Sequence, residues 1–164
     1  MKVALVHDFL TQLGGAERVL KNFLEIWPDA VLHVLIYNEE KTRNEFAAYK
    51  KEFSFLHYLP YAKQDPKLFL ALTPAAVKSF DFGEYDVVIS DSSAFVKGVT
   101  VGSKLHICYC HTPTRFLWTD HDYLDNQPYP EVLKILARPV LKWLKGWDYR
   151  AAQKPNFLIA NSKN

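Results

Sequence analysis

The densest polar and aromatic segment of the chain runs from residue 111 to residue 123 and begins with the sequence HTPTRFLW. His111 follows a predicted strand, so its ring can donate a hydrogen bond to a sugar or phosphate oxygen, and Arg115 can neutralise a phosphate. The ring of Trp118 can lie against the face of a sugar. The segment therefore predicts a ligand site. The alternative is a structural loop that holds a hydrogen-bonded histidine.

A second candidate site is the loop from His7 to Gly15, between the first predicted strand and the first predicted helix. Gly14 and Gly15 let the backbone approach a ligand closely, and the N–H groups and dipole of the following helix favour an anion such as phosphate. The spacing is neither G-x-G-x-x-G nor a P-loop, so it does not support NAD binding or ATP hydrolysis. A tight turn without a ligand explains the two glycines equally well.

A third polar group, Asp91-Ser92-Ser93, comes at the end of the fourth predicted strand. These side chains can hydrogen-bond sugar hydroxyls or cap the next helix, and capping is the commoner role of such residues. Ser92 and His111, with Asp120 or Asp122, supply the residue types of a catalytic triad. No G-x-S-x-G elbow is present, so the sequence does not support a hydrolase.

An alternation of strands and helices positions these segments. Strands are predicted at residues 2–6, 30–37, 52–56, 86–90, 104–110 and 156–160. Helices are predicted at residues 14–27, 38–51, 66–80 with a kink at Pro74, and 130–154. The pattern predicts one α/β domain over residues 1–164, with a mostly parallel sheet, helices on both faces and the first strand near the centre. Ligands then bind at the carboxyl ends of the strands.

The composition excludes several classes of protein. Hydrophobic residues make up 49% and charged residues 23% of the 164 residues, a globular balance that excludes a disordered or collagen-like chain. A formal net charge of +2 gives no support for a nucleic-acid partner. No apolar run approaches the ~20 residues that span a bilayer, and the short apolar run at residues 3–6 does not form a signal peptide. We therefore expect a cytoplasmic protein.

Two features of the sequence allow more than one interpretation. Cys108 and Cys110 lie between His106 and His111, but a strand spreads these side chains along one face, so we expect buried thiols rather than a zinc site or a disulfide. Residues 49–63 and 141–147 combine lysines with aromatic rings. Such helices can lie on anionic lipid or pack on the sheet with solvated lysines, and packing is the commoner arrangement.

Three segments together resemble the amino-terminal domain of group-1 retaining glycosyltransferases of the GT-B fold. They are VALVHD at residues 3–8, GGAERVL at residues 14–20 and CHTPTRFLW at residues 110–118. The likeness is greatest to bacterial mannosyltransferases of O-antigen and exopolysaccharide assembly. It extends along the chain to residues 159–162, which resemble the last strand before the hinge of that family.

The resemblance implies a Rossmann-like domain that forms one half of a two-domain enzyme. It implies that Gly14 and Gly15 approach the donor diphosphate and that His111 is the catalytic residue that contacts the transferred sugar. The implied sugar-binding and acceptor-binding residues are His7, Asp91, Ser92, Thr112, Arg115, Trp118, Asp120 and Tyr123.

The resemblance also implies a cytoplasmic enzyme that needs no cofactor and no tightly bound metal ion. Its partners would be a GDP- or UDP-linked sugar and a glycan or lipid-linked acceptor, with peripheral contact with the inner face of the membrane. The family's paired glutamates lie in a C-terminal nucleotide-sugar domain outside residues 1–164, so we expect this chain alone to be inactive. A stand-alone nucleotide-binding or small-molecule-binding module and a membrane-surface module remain the alternatives.

Overall fold

Strands and helices alternate along the chain, and the computed structural model describes them over residues 1–120 and 123–161. The strands are β1 (Val3–Leu10), β2 (Val31–Tyr37), β3 (Lys51–Phe53), β4 (Val87–Ser92), β5 (Leu105–Cys110) and β6 (Phe157–Ala160). The α-helices are α1 (Gly15–Ile26), α2 (Thr73–Lys78), α3 (Arg115–Trp118) and α4 (Glu131–Ala151). Short 3-10 helices cover Phe55–Tyr58, Pro66–Leu72 and Val96–Gly98. No helix among the described residues is both long enough and apolar enough to cross a bilayer.

The strands form one sheet in the order β3-β2-β1-β4-β5-β6, and every neighbouring pair is parallel. This confirms the predicted α/β fold and the central position of β1. The chain moves outward from β1 through β2 to β3, then returns to the other side of β1 with β4. Ligands of such sheets bind in the crevice outside the carboxyl ends of the strands where the order reverses, here between β1 and β4.

The central strands are buried on both faces, whereas the edge strand β6 is exposed, and successive residues of β1 face two separate cores. Ala4 and Val6 belong to a core that includes Trp147 of α4. Leu5 belongs to a second core that includes Leu20 of α1. Over residues 3–8, the odd-numbered side chains therefore face α1 and the even-numbered ones face α4. At the end of the strand this order reverses, with Phe9 on the α4 side and Leu10 on the α1 side.

The first strand is longer than predicted. It continues past residue 6 to Leu10 and pairs with β2 as far as Tyr37, so His7 and Asp8 lie within the strand and not in a loop. Buried His7 and Asp8 interrupt the apolar pattern, but Leu10 is fully buried and restores it. The two polar residues therefore do not end the strand. They mark a position within it that has a functional or structural role.

The predicted helix at residues 38–51 is wrong, because residues 39–48 form a series of turns before β3. Arg43 and Asn44 have φ angles of 50° and 60°, in the left-handed region, which a right-handed helix cannot contain. The Thr42 hydroxyl donates to the Asn38 carbonyl at 3.0 Å. Local side-chain bonds of this kind compete with the helical backbone pattern.

The prediction for residues 66–80 is confirmed in its main feature. The segment divides into the 3-10 helix at residues 66–72 and α2, and Pro74 lies in the first turn of α2, where its missing N–H costs nothing. Pro139, in contrast, lies inside α4, which continues through it to Ala151. The strand predicted at residues 52–56 is reduced to β3, followed by a 3-10 helix.

Candidate functional site

Three polar side chains meet at the carboxyl edge of the sheet, where the strand order reverses. His7 of β1 is in register with Asp91 of β4. Tyr109 of β5 contacts Phe23 of α1, and His111, two residues later, shares that face of the sheet. The three chain segments therefore bring His7, Asp91 and His111 together on the side that α1 covers.

Asp91 bridges the two histidines. Its Oδ2 accepts a hydrogen bond from His7 Nδ1 at 2.8 Å, and its Oδ1 accepts one from His111 Nε2 at 2.6 Å. On the other side of the His7 ring, Nε2 lies 3.9 Å from Glu17 Oε1 of helix α1. His7, Asp91 and Glu17 are buried, whereas His111 is only partly covered. From helix α1 to the surface the order of these side chains is therefore Glu17, His7, Asp91 and His111, in which carboxylates alternate with histidines.

Hydrogen bonding decides the charges in this cluster. Burial alone would lower the pKa of His7, but its interactions with Asp91 and Glu17 outweigh burial and raise the pKa to about 9. Burial would raise the pKa of Asp91, but hydrogen bonds from both histidines hold it below its ordinary value. The pKa of Glu17 is lowered in the same way, against burial, by His7. At neutral pH His7 is an imidazolium between two carboxylates.

The bridging carboxylate also fixes the role of each ring nitrogen of His111. Because Asp91 can only accept, Nε2 of His111 carries a hydrogen and donates it. Nδ1 of His111 has no hydrogen bond among the residues that the structure describes. This second nitrogen is left for a ligand, and the buried carboxylate holds the ring in one orientation.

A cleft lies over this cluster along the carboxyl ends of the strands. One part, of about 370 Å³, is lined by the end of β1, the start of α1 and the ring of Tyr123. A second part, of about 620 Å³, is lined by His111 and residues on both sides of it. The two parts share Gln12, Gly15, Ala16, Ser93 and Phe116. They form one continuous depression large enough for a sugar nucleotide.

The two predicted glycines differ in the structure. The N–H of Gly14 donates to Glu17 Oε2 at 2.8 Å, so it is already engaged within the protein. Gly15 lines both parts of the cleft, and a Cβ added there would meet no atom within 4 Å. Only Gly15 therefore leaves open space that a ligand could use. Glu17 puts a negative charge at the same end of α1, where the His7 imidazolium offsets it.

Asp8 is a buried anchor that the sequence analysis missed. Its two carboxylate oxygens accept hydrogen bonds at 2.7–2.9 Å from the backbone N–H groups of four successive residues, Ser93, Ala94, Phe95 and Val96. One carboxylate thus satisfies the start of the 3-10 helix that follows β4. Asp8 holds the wall of the cleft formed by Ser93 and Ala94 in place.

A buried ion pair fixes the opposite side of the same wall. Lys97 Nζ lies 2.6 Å from Asp148 Oδ1 of α4, and both side chains are almost completely buried. The Thr114 hydroxyl lies 2.9 Å from Lys97 Nζ and 2.7 Å from Asp148 Oδ1. Lys97 also donates to the Ala94 carbonyl. Every charged atom of the pair has a partner, so the group is a rigid connection between the wall, the loop before α3 and α4.

Besides His111, three of the predicted site residues in the segment after β5 line the cleft. Thr112 and Arg115 line its larger part and are exposed. Tyr123 lines the smaller part. His121 and Asp122, which belong to the loop predicted to shape an acceptor pocket, lie outside the described residues.

Three other predicted residues make their contacts away from the cleft. The Ser92 hydroxyl is buried and accepts from the Lys97 N–H at 3.3 Å, which is a capping contact. The Trp118 indole N–H donates to Asp148 Oδ2 at 2.8 Å. Asp120 is exposed and lines neither part of the cleft. Ser92 and Trp118 therefore support the framework of the site rather than its surface.

The two cysteines lie on β5, as expected, and both are free thiols, but only Cys108 is buried as expected and Cys110 is half-buried. Cys108 is fully buried, and burial raises the pKa of its thiol to about 12. Beside it, the buried Ser90 hydroxyl hydrogen-bonds His106 Nε2 at 2.8 Å. Burial lowers the pKa of His106 to about 4, so this histidine is neutral. These groups belong to the core.

Comparisons with known proteins add little to this description. No family model and no curated protein matches the chain. Among solved structures, HepE of Anabaena, determined in complex with UDP and glucose, is similar at a TM-score of 0.47 and 16% sequence identity. The match covers 98% of this chain and 44% of HepE, so the chain spans less than half of that protein. A similarity at this level leaves the function to be argued from the chain's own residues.

Proposed function

We propose that the chain is the amino-terminal part of a glycosyltransferase that uses a nucleotide sugar as donor. The observation that carries the proposal is the cluster of His7, Asp91 and His111 beneath an open cleft at the reversal of strand order. Its two histidines, His7 and His111, lie in segments whose sequence resembles group-1 transferases. A histidine held by a buried carboxylate, with one ring nitrogen left for a ligand, suits contact with a sugar hydroxyl.

In this proposal the donor lies along the cleft. Its diphosphate approaches the backbone at Gly15, where no side chain fills the space, and Arg115 supplies a positive charge at the rim. His111 contacts the transferred sugar through Nδ1. The bond from the anomeric carbon to the diphosphate oxygen breaks, and the acceptor hydroxyl oxygen bonds to that carbon. The hydroxyl proton passes to the departing diphosphate oxygen, and the nucleoside diphosphate leaves. Positioning and charge stabilisation supply the catalysis.

The finer features of the proposal rest on the resemblance. They are transfer with retention, mannose from GDP-mannose, a glycan or lipid-linked acceptor in cell-surface polysaccharide synthesis, and a cytoplasmic location with peripheral membrane contact. The enzyme would have the two-domain GT-B arrangement, with the donor shared between this domain and a C-terminal one. In that arrangement residues 1–164 bind part of the donor and do not complete the reaction.

The test measures donor binding and turnover separately. UDP-glucose and GDP-mannose are titrated calorimetrically, and release of UDP or GDP is followed in the two-domain enzyme with a lipid extract as acceptor. His111→Ala is expected to reduce turnover by about a hundredfold or more, the cost of one charge-stabilising group, with the fold intact. His57→Asn is the control, because His57 is stacked on Phe53, outside the cleft.

Unchanged turnover in His111→Ala would remove His111 from the site. Saturable nucleotide binding without transfer to any acceptor, in a protein that has no second domain, would favour the stand-alone binding module instead.

A further inference from the structure

The outer side of helix α4 carries apolar residues that the fold leaves uncovered. Exposed fractions are 67% for Val132, 60% for Ile135, 62% for Leu136 and 49% for Trp143. Together with exposed Pro139 they follow the spacing i, i+3, i+4, i+7, i+11, so they form one stripe along the helix. We call these five residues the α4 stripe. It runs for ~17 Å at 1.5 Å per residue.

Packing of α4 on the sheet does not account for this stripe. The same helix buries a different face, which includes Leu144, Trp147 and Ala151, in the core. A helix that packs on a sheet and is otherwise solvated has a polar outer side. The first half of α4 therefore has an apolar side beyond the one that the core requires. This differs from the expectation of solvated lysines on a single packed stripe.

Basic side chains flank the α4 stripe. Arg138, Lys142 and Lys145 are exposed and spaced i, i+4, i+7, which places them together on one side of the stripe. Two acidic groups lie nearby. Glu131 is 3.0 Å from Lys134, and Asp125 is 3.6 Å from Arg138, so each is matched by a cation. Lys142 and Lys145 have no acidic partner among the described residues, so they give this helix surface a net positive charge.

We propose that the α4 stripe and its basic flank dock on an anionic phospholipid bilayer, with α4 parallel to the membrane. Apolar side chains and Trp143 enter the interface while the cations contact lipid headgroups. The charge argues against a second copy as the occupant, because a symmetric contact would bring Arg138, Lys142 and Lys145 of both chains together.

The same helix connects this surface with the cleft. An apolar cavity of about 210 Å³ lies between α4 and the 3-10 helix at residues 66–72, and Leu133 and Leu141 line it from α4. The cavity shares Lys67, Leu70 and Tyr123 with the smaller part of the cleft. If the transferase proposal holds, an acceptor with a hydrocarbon chain reaches the cleft from this side. The docking surface itself does not depend on that proposal.

Flotation with vesicles tests the docking surface. The protein is expected to float with vesicles of phosphatidylcholine and phosphatidylglycerol at low salt, less at physiological salt, and not with phosphatidylcholine alone. Ile135→Asn with Leu136→Asn is expected to weaken binding on the order of a hundredfold. The control is Ile26→Asn in α1, because Ile26 is exposed to a similar extent, 62%, but lies outside the stripe.

A second pair of variants tests the charge separately. Arg138→Gln with Lys142→Gln is expected to weaken vesicle binding on the order of twentyfold. Lys50→Gln with Lys78→Gln removes the same net charge elsewhere and is expected to leave binding nearly unchanged. Far-ultraviolet circular dichroism checks that each variant is folded.

Three results would overturn the docking proposal. They are no flotation of the wild-type protein with anionic vesicles, equal flotation of the stripe variants, and a dimer in sedimentation equilibrium that the stripe variants convert to monomer. Vesicle binding is measured without nucleotide sugar, and nucleotide-sugar binding without vesicles. Failure of one proposal is therefore distinguishable from failure of the other.

Discussion

Replacing His7 by asparagine should change how the stability of the protein depends on pH. The wild-type ring donates from Nδ1 to Asp91 at 2.8 Å, and an asparagine amide can donate from a similar position without carrying a charge. The variant therefore keeps a donor to Asp91 but loses the titration and the positive charge beside Glu17. The comparison isolates the protonated state of His7.

The sign and size of the effect follow from the raised pKa. The folded protein holds the His7 proton up to a pKa of about 9, whereas an unfolded chain releases it near the ordinary histidine pKa of 6.5. The imidazolium thus contributes stability that is fully present below pH 6.5 and is lost as the pH rises through 9. The shift corresponds to about 3 kcal/mol of unfolding free energy.

Urea unfolding at several pH values between 6 and 9.5 measures this contribution. The difference in unfolding free energy between wild type and His7→Asn is expected to be largest at the acidic end and to shrink toward pH 9. His57→Asn is the control. Burial lowers the pKa of His57 to about 4, so His57 titrates over this range only in the unfolded chain, near 6.5, and its variant should keep the wild-type slope above about pH 7.5.

A constant difference between wild type and His7→Asn across this range would refute the reasoning. His7 would then be neutral in the folded protein. It would still donate a hydrogen bond to Asp91, but no positive charge would stabilise the Asp91 carboxylate. The alternation of charges from Glu17 through His7 to Asp91 would have to be abandoned, although the geometry would stand.

Two further predictions concern Gly15 and Asp8. Gly15→Ala should leave stability unchanged, because a Cβ there meets no atom, but should weaken nucleotide-sugar binding on the order of tenfold by occupying the ligand's space. Calorimetric titration checks it against Gly146→Ala, and equal binding by both variants would contradict it. Asp8→Asn should destabilise the protein by about 3 kcal/mol, because an amide NH2 faces backbone donors. Urea unfolding checks it against exposed Asp81→Asn, and an equal, small loss in both would contradict it.

The fold was predictable to the extent that it depends on local pattern. The apolar runs of β1, β2 and β4 and the alternation with helices are enough to define a parallel sheet covered on both faces. The turns at residues 39–48 were not predictable in this way. Their backbone depends on left-handed angles at Arg43 and Asn44, two residue types that do not require such angles.

The separate segments of the site, each near the end of a strand, were predictable from the sequence, but the contacts between their side chains were not. His7, Asp91 and His111 each stand out as polar residues beside buried strands, but their contact depends on strand order and register across 84 residues of chain. Glu17 was missed because an acidic residue in the first turn of a helix is ordinary. Its position two residues after Gly15 indicates a site residue only when it is known that buried His7 lies beside it.

The alternation of side chains at residues 7 and 8 of β1 separates the buried charged groups around the cleft into two sets. Asp8 faces the α4 side of the sheet, where four backbone N–H groups satisfy it and the Lys97–Asp148 pair closes the same wall. His7, one residue earlier, faces α1 and belongs to the chain of groups that ends at His111. One face thus holds charges whose partners are all internal, so they can only rigidify the cleft. The other face ends in a ring with one nitrogen still free to interact, and chemistry at this cleft should therefore depend on the α1 face.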